Sequence, residues 1–251
     1  TILSNDKWNQ LELNCTNCKA TQISKKHGYT ISHTSEWNQL KCGTKETTSK
    51  PKADVQILDG TKKVNISIKS GKGRFTSSDC FETNAIFMSV YNNKYQGNLE
   101  IKRIIDELLM TMKKLGKKKP ISSDRTIKSI KEKIKQNPTI CDEDIEWVKN
   151  LDKTETRCNQ LWSQLKKDHL EYVKDVLFEC VSGIYKFGDN EGRADWLYVT
   201  KDSNSTECKH LFNLDKRSLE LDSYLIDGSK TPNVFKAKTG GTGKQMWIRF
   251  L

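Results

Sequence analysis

Residues 53–69, "ADVQILDGTKKVNISIK", alternate apolar and polar side chains on both sides of an Asp-Gly pair. Alternation with a period of two puts successive side chains on opposite faces of a strand, and Asp-Gly is a preferred centre for a tight hairpin turn. Val55 and Ile57 therefore lie opposite Asp54 and Gln56, while Val64, Ile66 and Ile68 lie opposite Asn65, Ser67 and Lys69. A loop of even length around Asp59-Gly60 places Asp54 on the side of Ser67 and Lys69. With residues 59–62 as the loop, Asp54 faces Ser67 directly. A lone hairpin is marginal in water, so the rest of the chain must cover it.

That remainder supplies helices first and strands later. Over residues 98–115, Leu99, Ile101, Ile104, Ile105, Leu108, Leu109, Met112 and Leu115 recur at helical spacing and end at Gly116. Residues 76–92 read as a helix starting at Ser77 or Ser78, and Ser122–Gln136 as another stopped by Pro138. Thr139 or Asp142 can cap a helix reaching Leu151, and residues 154–180 form a further one. Beyond Gly183 short β-like runs (195–200, 209–214 and 245–251) alternate with Gly-rich turns. The expected fold class is α/β (α+β): a mixed central sheet flanked by helices over residues 51–251, with a helical middle (98–182) and a β-rich C-terminal part (183–251). A polar segment, residues 1–50, precedes it.

Lys and Arg outnumber Asp and Glu by 43 to 32, a formal charge of +11, which draws polyanions and makes nucleic acid the leading partner class. Residues 101–138 concentrate twelve basic side chains against four acidic ones, and residues 228–251 hold five basic and no acidic ones. Either segment alone can equally be a solvated face or tail. No apolar run approaches the roughly 20 residues that span a bilayer, and residues 1–10 lack the layout of a signal peptide. A soluble, cytoplasmic protein with no membrane partner is the expectation. The eight cysteines lack the dense spacing of a disulfide scaffold and fit a reducing compartment.

Asp54, then Ser67-Ile68-Lys69, then Glu82 thirteen positions later, resembles the active site of the PD-(D/E)xK nuclease superfamily, which includes most type II restriction endonucleases. Asp54 matches the first acid, reached through "KAD" rather than Pro-Asp. The usual acid two positions before the lysine is replaced by Ser67, a departure shared by the NgoMIV-like and MspI-like variants; in the former the missing carboxylate comes from the following helix, where Glu82 stands. The likeness covers residues 51–90, with a weaker one to the MspI-type C-terminus over residues 227–251. It implies Mg²⁺ held by Asp54, Glu82 and the main-chain carbonyl of Ile68, and water and charge handled by Lys69. Ser67 contributes a hydrogen bond and should tolerate replacement by Glu. Such residues suit phosphodiester hydrolysis, which needs a hard cation among oxygens and a neutralised phosphorane. The implied products are a 5′-phosphate and a 3′-hydroxyl.

Other constellations are less specific. Cys15-x-x-Cys18, with Cys42 and either His27 or His33, can complete a structural Zn²⁺ site; reduced core cysteines are the competing reading. Arg193 and Asp195 at the mouth of a strand can read base edges, or pair with each other to fix a turn. Lys230, Lys236, Lys238 and Lys244 can contact phosphates around Gly240, Gly241 and Gly243. No Ser/His/Asp or Cys/His arrangement stands out, and "GGTGK" lacks the Walker A spacing. The sequence thus leads to a Mg²⁺-dependent endonuclease acting on double-stranded DNA, for which a symmetric site would imply a homodimer. A repair nuclease, or a non-catalytic nucleic-acid-binding protein with a zinc-ribbon-like N-terminus, is the alternative.

Overall fold

The computed structural model describes residues 11, 18–22, 29–30, 48–49, 51–70, 80–114, 127–188, 192–202, 205–228, 235–238 and 245–248. In chain order the elements are β1 (Lys19–Gln22), β2 (Tyr29–Thr30), β3 (Thr48–Ser49), β4 (Val55–Asp59), β5 (Lys62–Ser70) and α1 (Cys80–Val90), which runs on as a π-helical turn over Tyr91–Tyr95. Then come α2 (Leu99–Lys114), α3 (Ile127–Gln136), α4 (Glu143–Asp168), α5 (Leu170–Ser182), the short α6 (Ile184–Phe187), β6 (Trp196–Thr200), β7 (Cys208–Asn213), α7 (Leu219–Gly228), β8 (Phe235–Lys238) and β9 (Gln245–Ile248). No helix among the described residues is long and apolar enough to cross a membrane.

Five strands form a mixed sheet in the order β1-β4-β5-β6-β7. β4 and β5 pair antiparallel with Asp59 opposite Lys62, so the turn is tighter than a four-residue loop but keeps the expected register. Gly60 takes the positive φ of 61° that such a turn demands. β6 lies parallel to β5, Ser67 beside Leu197 and Lys69 beside Val199. A parallel neighbour needs a long crossover, and the helical layer α1–α6 provides it. The segment before residue 51 also contributes, since β1 pairs with β4 as an edge strand.

The two faces of the hairpin meet different cores. Ile57, Val64, Ile66 and Tyr198 pack with Leu11 in a small cluster on one side. The other side carries the polar residues, and it is the one the helices cover: Ala53, Leu197, Val199 and Phe212 join the buried side chains of α1, α2, α4 and α5. Asn65 and Ser67 are consequently buried. Asn65 is satisfied by its cross-strand partner, Gln56 Nε2 donating to Asn65 Oδ1 at 3.0 Å. Polar side chains under a helical layer are costly unless paired, which is the first sign that this face is a site rather than a wetted surface.

Three helical expectations change. Asp142 does cap α4, accepting from the Ile145 N–H at 2.9 Å. The helix, however, continues past Leu151 to Asp168 because Val148, Leu151, Cys158, Leu161, Trp162 and Leu165 keep one buried stripe. Thr154 starts no new helix; its hydroxyl donates back to the Asn150 carbonyl at 2.8 Å. The break falls instead at His169, whose φ of −139° and ψ of 52° leave the helix. Beyond Gly183 the chain is not strands alone: α7 follows Ser218, whose Oγ accepts from the Leu221 N–H at 3.1 Å.

Candidate active site

Asp54 precedes β4, and its backbone N–H still donates to the Ile66 carbonyl at 2.8 Å, so it lies opposite Ser67 as the register requires. Its Oδ2 accepts three bonds: from the Ile68 N–H at 2.7 Å, from Lys69 Nζ at 3.3 Å and from Ser67 Oγ at 3.4 Å. Among the described residues nothing donates to Oδ1. The Asp54 carboxylate is 47% exposed while the Lys69 side chain is 18% exposed, so the pair sits at a mouth, acid outward. Burial depresses the Lys69 ammonium below its ordinary range; Asp54 opposes that shift and the like charge of Lys52 adds to it.

Lys52, two residues before Asp54, links this pair to a second cluster. Its Nζ lies 3.2 Å from Oε1 of Glu82 in the first turn of α1. Lys186, on α6 and with no exposed side-chain surface, donates to the same oxygen. Gly183 makes room for this arrangement. It caps α5 at a φ of 69°, and a Cβ there would stand 2.8 Å from the Lys52 Cγ and 2.8 Å from the Phe187 ring. Below it Glu179 accepts from the backbone N–H groups of Tyr185 at 2.8 Å and Lys186 at 3.2 Å.

Burial dominates the electrostatics of these groups. It pushes the Glu179 carboxyl up to about 7 against the opposing pull of Lys186 and the two N–H donors. Burial, with Lys52 beside it, brings the Lys186 ammonium down to about 8. Lys52 goes the other way: the depressing effect of burial is outweighed by Glu82, Cys180 and Glu179, which hold its proton. The Cys180 thiol is pushed up to about 12 by burial and is no nucleophile.

The sequence-predicted residues are thus brought into two joined clusters: Asp54, Ser67 and Lys69 on the strands, and Glu82 held by Lys52 and Lys186 behind them. Among the described residues, no three or more His, Cys, Asp or Glu side chains gather as a metal cluster. Mg²⁺ does not need one, because one or two carboxylates, waters and substrate phosphate oxygens are its usual shell. The half-exposed Asp54 carboxylate, with an oxygen that no described donor uses, suits such a partial shell.

Elsewhere the outcome is different. Asp195 accepts from Arg193 Nε at 3.0 Å and from the Asn65 N–H at 2.8 Å, one bond on each carboxylate oxygen, and Arg193 also pairs with Asp215. Of the two readings for these residues, the structure builds the turn-fixing pair, which locks β5 to the entry of β6. Cys18 is disulfide-bonded, so its sulfur is not available as the thiolate a zinc site needs; Cys15 and Cys42 lie outside the described residues, as do Lys230 and Lys244. Lys236 and Lys238 fall on β8, which Asn159 of α4 anchors by bonding both the Phe235 N–H and carbonyl at 2.8 Å.

Lys52, Glu179 and Lys186 are the site residues that motif spacing misses. Lys52 has a sequence signal, two residues from Asp54 in an extended segment and so on its side. Glu179 has another, a lone carboxylate within the apolar run 176–181. Lys186 has none. Comparison with family models, with curated proteins and with solved structures finds no match to this chain.

Proposed function

We propose that the protein is a Mg²⁺-dependent endonuclease that hydrolyses double-stranded DNA in the manner of a type II restriction endonuclease, on a core of the PD-(D/E)xK kind. The observation that carries this reading is the meeting at 3.3 Å of Asp54, just before β4, with Lys69 of β5, the acid half open to solvent and the Glu82 carboxylate paired with the nearby Lys52. An acid and an amine at a mouth, backed by buried cations, suit an anionic substrate whose reaction adds negative charge.

Asp54 and Glu82, with the Ile68 carbonyl, would hold the metal. When bound, Mg²⁺ supplies Lewis-acid stabilisation of the phosphate's developing charge. The chain's own residues do the rest. Lys69 directs a water oxygen at phosphorus and lies beside the non-bridging oxygens. Asp54 holds that amine in place and fixes the end of β5 through the Ile68 N–H. Lys52 and Lys186 hold the Glu82 side chain in place through the same carboxylate oxygen. Attack forms a new P–O bond, the P–O3′ bond breaks, and a proton passes to the departing 3′-oxygen, leaving a 5′-phosphate.

Supercoiled plasmid incubated with the protein and Mg²⁺, and in parallel with EDTA, tests the reading. Metal-dependent, discrete fragments with 5′-phosphate ends are expected. Asp54→Ala, Lys69→Ala and Glu82→Ala should each lower the cleavage rate by at least about a thousandfold while leaving DNA retardation in a gel unchanged. Retarded but intact DNA under every condition would instead establish the non-catalytic binder, and a fully active Glu82→Ala protein would remove that residue from the site.

A further inference from the structure

Across the sheet, the row that contains Lys69 continues to Val199 on β6 and His210 on β7. These partners share the helix-covered face, so His210 stands two strand spacings from Lys69, about 10 Å along the hydrogen-bonding direction. Its ring lies stacked on Phe212, centroids 5.5 Å apart and planes at 11°, and against Tyr224 of α7 at 5.1 Å. No described side chain or backbone group hydrogen-bonds to its ring nitrogens, and the residue is half-buried rather than enclosed.

The strand is irregular here. Val199 pairs with His210 but Thr200 pairs with Cys208, so Lys209 is an extra residue with no partner opposite, and it is exposed. A bulge of this kind redirects a side chain at the end of a strand, and this one adjoins the row of the candidate active site.

We propose that Lys209 and His210 form a second phosphate-binding point for the nucleic-acid strand that passes Lys69, which rests on the nuclease reading above. The chemistry is that of a polynucleotide backbone: an ammonium for charge, and a ring N–H held rigid by stacking for one directed bond. About 10 Å is within the span of a few successive phosphates of one strand, so one backbone can touch both points. Contacts of this sort set the register of a strand over the reacting phosphorus without reading its sequence.

Lys209→Ala and His210→Phe test this, the second keeping the stack while removing the ring N–H. Binding is read by fluorescence anisotropy on a 20-base-pair duplex in EDTA over a salt series, and cleavage under single-turnover conditions with Mg²⁺. Each variant should raise Kd by about threefold to tenfold at fixed salt, and Lys209→Ala should reduce the salt slope by about one. Parent-like Kd and slope in both variants, with the parent active, overturn this inference alone. Weakened binding with a parent protein that never cleaves would keep the phosphate contact and overturn the nuclease reading.

Discussion

Ser67 was legible as the residue that departs from the expected acid, but not as one with 1% of its surface exposed. Read as a strand residue on a polar face, it invites restoration of the carboxylate. In the fold it lies beneath the helices with its hydroxyl 3.4 Å from Asp54 Oδ2. Ser67→Glu would press a second carboxylate against Asp54 in a space closed by Leu197 and its neighbours. A loss of about 2–3 kcal/mol is expected, measured by urea unfolding, rather than the tolerance the motif suggests. Glu179 makes a prediction of another kind, because burial raises its folded pKa from the ordinary 4.5 to about 7. Between those values the folded chain binds a proton that the unfolded chain has released, so this group's contribution to stability falls as pH rises from about 4.5 to 7. Glu179→Gln removes that titration. The stability of the parent relative to the variant should decline across that window, as read by unfolding at pH 5, 6 and 7, and a flat difference would show that Glu179 is ionised throughout. Neither environment follows from the residues adjacent in sequence, because Ser67 is flanked by Leu197 of β6, which the chain reaches only after the helical layer, and Glu179 faces Lys52, which precedes β4.

At the level of elements, what could be read depended on whether a local signal was decisive. Asp-Gly with its flanking alternation gave β4 and β5 with their register, since turn geometry and side-chain period both act over a few residues. Leu99–Lys114 was equally clear, its apolar stripe repeating over four turns. The boundary inside 143–168 was misread because Thr154 resembles a cap, and a cap competes with continued burial; Cys158, Leu161 and Trp162 keep the stripe going and burial wins. α7 was passed over although Ser218, Glu220, Leu221 and Leu225 offered an N-cap, an acidic first turn and an i,i+4 pair. β1 carries no comparable signal: four residues in an edge strand, Lys19–Gln22, become a strand only because β4 is there to pair with. The cap that was legible can be weighed. Asp142→Ala leaves the Ile145 N–H without its acceptor at the start of a 26-residue helix, and should cost about 1 kcal/mol. Thermal unfolding should show it, and Asp142→Asn should recover most of the loss, because an amide oxygen can still accept that bond.

Over the whole molecule, the site depends on a sheet whose polar face is turned inward and on an open electrostatic field around it. The reach of that field is a matter of distribution, which net charge alone does not give. Part of the basic excess in residues 101–138 is answered locally, Lys102 by Asp106 and Arg103 by Glu107 one turn on, and Lys131 by Asp152 of α4. Exposed pairs of this kind contribute little to stability and do not quench a field of +11. On α3, Lys128, Lys133 and Lys135 are exposed, while Ile130 holds the helix to Ile145 and Val148. If the molecule works on a duplex, its binding must be governed by counterion release. For non-specific DNA in EDTA the logarithm of affinity should fall linearly with the logarithm of salt, with a slope of about −3.6 or steeper, corresponding to four or more neutralised phosphates. Replacing Lys128, Lys133 and Lys135 together by Gln tests whether α3 belongs to that surface. The three substitutions leave the Ile130 contact untouched, so folding should be unaffected, and the slope should become shallower by two to three if the strand runs across this helix. An unchanged slope would place the duplex on another face of the molecule, with the bulged end of β7 and the mouth at Asp54 then fixing its path.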